Sequence, residues 1–333
     1  MAEAKYDVLG IGNAIFDVLV KTDEKFLRDH GMTKGGMALI DETRAASIYR
    51  DMGPATEMSG GSAANTIVGI ASFGARAAYV GKVKDDQIGK LYTHDIRAAG
   101  VAFDTKPASD GPATGCSYIL VTDDGERTMN TYLGAAQELM PSDIDAAEIA
   151  AAKIVYLEGY LWDPASAKQA FVKAATIAHS AGREVALTLS DSFCVDRYRD
   201  EFLDLMRKGT VDLVFANEAE LHSLYQTSDF DTALKELRKD AKLGVVTRSA
   251  KGCVVASRDG VVAVPAFAID RLVDTTGAGD LFAAGFLFGL VRNAGYENAG
   301  RLGALAAAEV IQHIGARPLA SLKELAQKTG LPV

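Results

Sequence analysis

Residues 274–282 read Asp-Thr-Thr-Gly-Ala-Gly-Asp-Leu-Phe, a glycine-rich turn followed by an acid at the mouth of an apolar run. Beyond Asp280 the chain continues LFAAGFLFGLV, apolar on every side, which predicts a helix buried in a core. Gly277 and Gly279 carry no side chains, so a ligand can approach the backbone closely. The free N–H groups of a first helical turn, with the positive end of the helix dipole, form a ready anion site. A carboxylate placed there repels an anion unless a metal bridges the two or the acid works on a third group. Phosphoryl transfer needs that pairing: donors for the moving phosphate and a base for the attacking hydroxyl. The plainer alternative is a first-turn Asp that only complements the helix dipole. Two glycines and two threonines at this spacing favour the chemical reading.

Such a turn has to be held by a framework, and the rest of the chain supplies an α/β one. Tyr6–Ile11, Ala77–Val80, Ile154–Leu157, Val185–Leu189, Leu213–Ala216 and Gly244–Thr247 read as buried strands. Helical patterns lie between them at about 62–73, 86–99, 166–181, 200–207 and 231–238. This alternation predicts a mostly parallel central sheet flanked by helices. A hairpin, Cys253–Ser257 and Val261–Val264 turned at Asp259-Gly260, follows, and then the helix after Asp280 and an alanine-rich one at 298–313. Residues 14–45 and 101–135 break the pattern with strands that lack crossover helices, and are expected to form a small β-sheet entered twice by the chain. The core is then 1–13, 46–100 and 136–333. In such a sheet the ligand sits beyond the carboxyl ends of the strands. Asn13 and Asp17, Gly60 and Gly61, and Asn217 and Glu220 all fall near such ends, which argues for one shared site.

The nine residues resemble the C-terminal signature of the ribokinase-like sugar and nucleoside kinases, the PfkB family. Gly60-Gly61-Ser62-Ala63-Ala64-Asn65 is similar to that family's N-terminal signature, and Asn217-Glu218-Ala219-Glu220 to its Asn-x-x-Glu motif. The blocks come in the family's order, and the resemblance spans about residues 5–328. It implies a ribokinase-like fold with a small β lid over the cleft, and ATP and Mg²⁺ as cofactors.

The resemblance also implies roles. Asp280 is the general base, and the N–H groups of Gly277, Ala278 and Gly279 are the anion hole. Asn13 and Asp17 match the family's Gly-Asn-x-x-x-Asp stretch, whose acid accepts from substrate hydroxyls, as a carboxylate can from a diol. Gly61 and Asn65 line the sugar from the other side, although Ser62 is also a good N-cap for a plain helix start. Asn217 and Glu220 organise the triphosphate, Glu220 reaching Mg²⁺ through water, although an Asn capping a helix with two first-turn glutamates is common. Thr247 and Gly252 lie on the ATP side, in a turn where Ser249 stands in place of the family's usual glycine. Arg127 is a lid residue that would reach the phosphates on closure, with a solvated surface arginine as the alternative. Asp274 and Thr276 lie where members activated by K⁺ supply cation ligands.

The start YDVLGIGNAIFDVLV, the long insertion to about residue 58 and the run TYLGAAQEL look more like the adenosine kinase branch than ribokinase or fructokinase. A base site needs apolar walls, for which Phe16, Met37, Leu133, Ala135, Tyr160 and Trp162 are the candidates. A nucleoside, adenosine first, is therefore the expected acceptor, with a sugar such as ribose or fructose as runner-up.

Composition bounds these readings. With 333 residues, 48% hydrophobic and 24% charged, the chain is an ordinary globular protein. A net charge of −9 leaves no basic surplus for nucleic acid. Cys116, Cys194 and Cys253 are scattered, and the five histidines show no zinc spacing. The N-terminal MAEAKYD lacks the apolar stretch of a signal peptide, so a cytoplasmic monomer or homodimer without a membrane partner is expected. A dinucleotide-binding reading of Gly10-Ile-Gly-Asn-Ala-Ile fails on the missing third glycine, and no GxxxxGK[ST] loop is present. A silent sugar or nucleotide sensor on the same scaffold is disfavoured by Asp280 and its two glycines.

Overall fold

The computed structural model describes residues 4–333. It contains two sheets. The strands in chain order are β1 (Tyr6–Ile11), β2 (Ile15–Lys21), β3 (Met37–Leu39), β4 (Thr56–Gly60), β5 (Ala77–Val80), β6 (Val101–Ala102) and β7 (Gly115–Val121). They continue with β8 (Arg127–Tyr132), β9 (Ala152–Glu158), β10 (Glu184–Thr188), β11 (Leu213–Asn217), β12 (Leu243–Thr247), β13 (Cys253–Ser257) and β14 (Val261–Val264). The large sheet runs β14-β13-β12-β11-β10-β9-β1-β5-β6. It is parallel from β12 to β6, and only the terminal hairpin is antiparallel. Its strands are apolar on both faces because helices cover both, as a parallel sheet demands. This is the ribokinase-like α/β arrangement. The chain leaves β1 toward β5 on one side and later builds β9 onward on the other. The crevice between β1 and β9 is thus the switch point where such sheets bind ligands.

The small sheet runs β3-β8-β7-β2-β4. Its two-residue alternation separates two faces. Phe16, Val18, Val20, Cys116, Tyr118 and Leu120 are packed under the helices Glu24–Asp29 and Glu42–Asp51. The opposite face carries Asp17, Leu19, Ser117, Ile119, Met58, Met129 and Arg127.

Two boundaries differ from the expectation. Thr56–Gly60, inside the segment assigned to the core, is an edge strand of the small sheet, paired with β2. Its sequence TEMSG has no apolar alternation, so nothing in it signals a strand. Val101–Ala102, at the start of the segment assigned to the lid, pairs with β5 in the large sheet instead. The expected 200–207 helix is one of sixteen residues, Ser192–Arg207, bent where Tyr198 leaves helical geometry.

Two helices position the site. Ser62–Ser72 and Ala278–Val291 are buried along most of their length. They cross closely because residue 69 is glycine: a Cβ there would lie 2.6 Å from that of Ala284. The crossing brings two helix N-termini, and two positive dipole ends, to the same end of the sheet.

Candidate active site

Gly277 caps the second helix in the left-handed region, φ 77°, with its α-carbon against Ala316: a Cβ would sit 2.8 Å from that residue's Cα and Cβ. Only glycine fits. Gly279 differs, since a Cβ there meets no protein atom within 4 Å. The space beside it is open to a ligand. The N–H of Ala278 donates to the Thr275 carbonyl at 3.2 Å, so one of the three amides expected to face an anion already has an acceptor within the protein.

Asp280 is the third residue of this helix and reaches across to the first. Ser62 donates its hydroxyl to Oδ1 at 2.7 Å, and Asn65 its amide to Oδ2 at 3.0 Å. Burial pushes the carboxyl up to about 6, with these donors and the Arg317 charge opposing it. Ser62 is therefore not the N-cap that its position suggested. The cap is Gly61, φ 98°, and the hydroxyl is turned to the acid.

Asp17 faces the same space from β2. Among the described residues no group donates a hydrogen bond to it, which leaves both oxygens for a ligand. Burial raises it to about 7, against Arg317 and Arg127 and with the Asp280 charge adding to the rise. Asn13 follows β1 and donates to Oε1 of Glu158 through its side chain at 2.8 Å and its backbone at 3.3 Å. The Oδ1 atoms of Asn13 and Asn65 are buried without a partner. Two orphaned acceptors beside two acids suit a polyhydroxy ligand.

Glu158 and Arg317 were not foreseen. Glu158 ends β9 and is 1% exposed; its other oxygen accepts the Ala63 N–H at 2.8 Å, and burial lifts it to about 7. Arg317 is half-buried, donating to the Ser59 and Ala64 carbonyls, and so ties β4 to the Ser62–Ser72 helix. Both read as unremarkable residues in local sequence, because their partners lie far along the chain.

On the ATP side, Asn217 and Glu220 form a reciprocal capping box at the start of Glu218–Tyr225. Asn217 Oδ1 accepts from the Glu220 N–H at 2.9 Å and the Glu220 carboxylate from the Asn217 N–H at 3.0 Å. Glu220 is buried and raised to about 7. A magnesium ion contacted through water leaves this cap intact, whereas direct ligation would break it. Among the described residues no three acids, histidines or cysteines converge into a cage. Thr247 ends β12 on the neighbouring strand. Ser249 adopts φ 50°, the left-handed conformation that glycine takes easily, and the turn closes through Arg248 N–H to Gly252 carbonyl at 2.7 Å.

Arg127 and Asp274 are placed differently from expectation. They form a buried ion pair with each other, while Asp274 also accepts from the Thr276 and Gly315 N–H groups at 3.0 Å each. A monovalent cation would have to displace the guanidinium, so the arrangement as it stands does not fit one. Tyr160 lies just beyond β9 with its hydroxyl on the Ser190 carbonyl at 3.3 Å, and Leu133 lies half-buried at the end of β8. Of the other wall candidates only Met37 is on the open face of the small sheet; Phe16, Ala135 and Trp162 are core residues. Large apolar side chains look alike in sequence whether they line a pocket or fill a core. No helix among the described residues is long and apolar enough to cross a membrane.

A model of the pfkB family carbohydrate kinases matches residues 51–322. The crystal structure of an adenosine kinase from Sinorhizobium meliloti superposes with a TM-score of 0.92 at 57% identity, covering 98% of this chain and 100% of that one. That of a probable sugar kinase from Rhizobium etli gives 0.93 at 54%, covering 99% and 100%. An ATP-dependent ribose-1-phosphate kinase of Halopiger xanaduensis is 32% identical over 239 residues, 69% of this chain and 73% of that protein. With Asp280 held beside an open glycine turn and these likenesses, the chain belongs to the pfkB family of carbohydrate kinases.

Proposed function

We propose that this kinase transfers the γ-phosphate of ATP to the primary hydroxyl of a nucleoside, most simply adenosine. The carrying observation is the juxtaposition of Asp280, Asp17 and the apolar face of the lid. Asp280 accepts the proton of the hydroxyl, which attacks the γ-phosphorus in line while the bond to the ADP oxygen breaks. The Gly277 and Gly279 amides meet the charge that develops on the transferring oxygens. Asp17, with the free Oδ1 atoms of Asn13 and Asn65, accepts from the ribosyl hydroxyls. Asn217 and Glu220 would hold a magnesium ion through its water, and the ion would supply charge neutralisation on the phosphates.

The nucleoside half rests on what lies beside Asp17. Met58 is directly opposite it across the β2–β4 pair, and Leu19, Ile119 and Val121 with Met58 and Met129 form an apolar cluster on that face. A free sugar has nothing to place there, whereas a purine does. Methionines adapt to flat heterocycles. The high identity to a Sinorhizobium adenosine kinase supports the same choice. A sugar acceptor is the second reading, favoured by the Ser117–Thr131 hydroxyl pair, 2.9 Å apart beside Asp17, which could serve further hydroxyls. A phosphorylation panel of adenosine, other nucleosides, ribose, fructose and aminoimidazole riboside with Mg-ATP separates the two. Turnover of ribose or fructose as efficient as that of adenosine would reject the nucleoside reading and leave the kinase reading standing.

A further inference from the structure

We infer that Ser62 is a positioning residue for the reaction: its hydroxyl fixes the rotamer of Asp280 and favours the ionised carboxylate. The inference rests on Asp280 being the base. Three observations carry it. Ser62 occupies the first turn of its helix, where a serine hydroxyl ordinarily serves the backbone, yet it makes no cap and donates instead to an acid 218 residues away. The contact, 2.7 Å, has full hydrogen-bond geometry, and its partner on the other oxygen, Asn65, completes a two-donor clamp at 3.0 Å. A carboxylate held on both oxygens cannot swing out of line with an incoming hydroxyl, and each oxygen keeps a lone pair free to accept from it.

The surroundings make the clamp matter. The charged and titratable groups around Asp280 are Asp17 on β2, Tyr156 and Glu158 on β9, Tyr160 beyond it, and Arg317. Two of these are acids and one, Arg317, is a cation, which opposes their effect while also donating to the Ser59 and Ala64 carbonyls. Burial and like charge both favour the protonated acid, which cannot act as a base. The donors from Ser62 and Asn65 oppose this. Asn65 is a substrate-contact candidate as well, so Ser62 is the residue whose contact in this site is with Asp280 alone.

The test compares Ser62→Ala, Ser62→Thr and Asp280→Asn in a coupled ADP-release assay across pH 5 to 9. Ser62→Ala is expected to lower kcat at neutral pH by roughly tenfold and to move the acid limb of kcat upward by about one pH unit, with the KM of the acceptor changed less than threefold. Ser62→Thr keeps the hydroxyl and should restore both. If Ser62→Ala is too unstable to assay, Ser62→Cys, similar in volume but a weak donor, takes its place. An unmoved acid limb in the Ala or Cys variant, with Asp280→Asn inactive, overturns the Ser62 role alone. Substantial activity in Asp280→Asn overturns the base assignment and this inference with it.

Discussion

Arg127, the first residue of β8, and Asp274, at the head of the catalytic turn, form an ion pair whose side chains are only 8% and 4% exposed. The pair joins the small sheet to the segment that leads into the helix carrying Asp280. Each is the other's counter-charge, so the phosphate contact expected of Arg127 and the cation contact expected of Asp274 would both require this pair to part. Removing one partner strands a buried charge, which typically destabilises by about 3–5 kcal/mol. Arg127→Met and Asp274→Asn should each lower stability on that scale in urea denaturation. The double variant should lose clearly less than the sum, since neither charge then lacks its partner. Strict additivity would mean that the contact carries no coupling.

Burial holds Asp280, the proposed base, above the usual aspartate range. Because burial raises Asp280 to about 6, its active, ionised form is lost as pH falls through that value. An acid limb of kcat/KM near pH 6 is expected, against one near 4 for an ordinary aspartate. The same acids affect stability. Asp17, Glu158 and Glu220, each raised to about 7, bind protons more tightly folded than unfolded. Their contribution is fully present below about pH 4 and is lost as pH rises through 7. The melting temperature should therefore fall between pH 5 and 8, and a rise over that range would contradict the burial of these groups.

Gly277 and Gly279 look equivalent in sequence and are not. Gly277→Ala forces a left-handed alanine onto Ala316 and should destabilise by about 1–3 kcal/mol as well as abolish turnover. Gly279→Ala meets nothing in the protein and places a better helix former in a first turn, so stability should hold or rise by up to about 1 kcal/mol. Its methyl group stands where a phosphate would approach, and kcat should drop at least tenfold. Thermal melts and the coupled assay, run together, check both halves.

What was legible in the sequence was local. Asp280 with its glycines, the Asn217–Glu220 cap and the strand–helix alternation are each written within a few residues, and each is in the structure as an element or a turn. What was not legible is what depends on distant partners. Ser62 and Asp280, Asn13 and Glu158, and Arg317 and Ser59 meet across 218, 145 and 258 residues. Nothing in a serine before two alanines, or a glutamate ending an apolar strand, announces such a partner. Phe16, Ala135 and Trp162 turned out to be core residues for another reason: Trp162 packs on Phe171 and Phe202, a core role that residue type alone does not distinguish from a pocket role.

Ser249 is a place where a departure from the family's pattern can be weighed. The residue keeps the turn's left-handed backbone, φ 50°, without being glycine. Such a conformation costs about 1 kcal/mol for a residue with a Cβ. Ser249→Gly should relieve it, raising stability by at most about 1 kcal/mol after the larger unfolded-state entropy of glycine is subtracted. The KM for ATP should change less than twofold, because the backbone course is already the one that glycine would take. A large change in that KM would assign the serine hydroxyl itself to the nucleotide.

The choice of acceptor turns on the lid. Asp17 and the asparagine oxygens see the same hydroxyls whether or not a base is attached, so they cannot tell a nucleoside from ribose. The apolar cluster beside them can. Burying one face of a purine against Met58, Leu19 and Ile119 removes apolar area worth about 25 cal/mol per Å², a few kcal/mol in all. That is roughly a hundredfold or more in kcat/KM for adenosine over free ribose. Met58→Gln keeps the length of the side chain and replaces its sulfur end with an amide. On the nucleoside reading it should lower kcat/KM for adenosine about tenfold and leave ribose within twofold, narrowing the gap from one side only. Equal losses for both acceptors would mean that the variant disturbs the lid as a whole. No loss for either would place the base away from this face, on the side of Tyr160 at the end of β9, where Tyr160→Phe and Tyr160→Ala then become the informative pair.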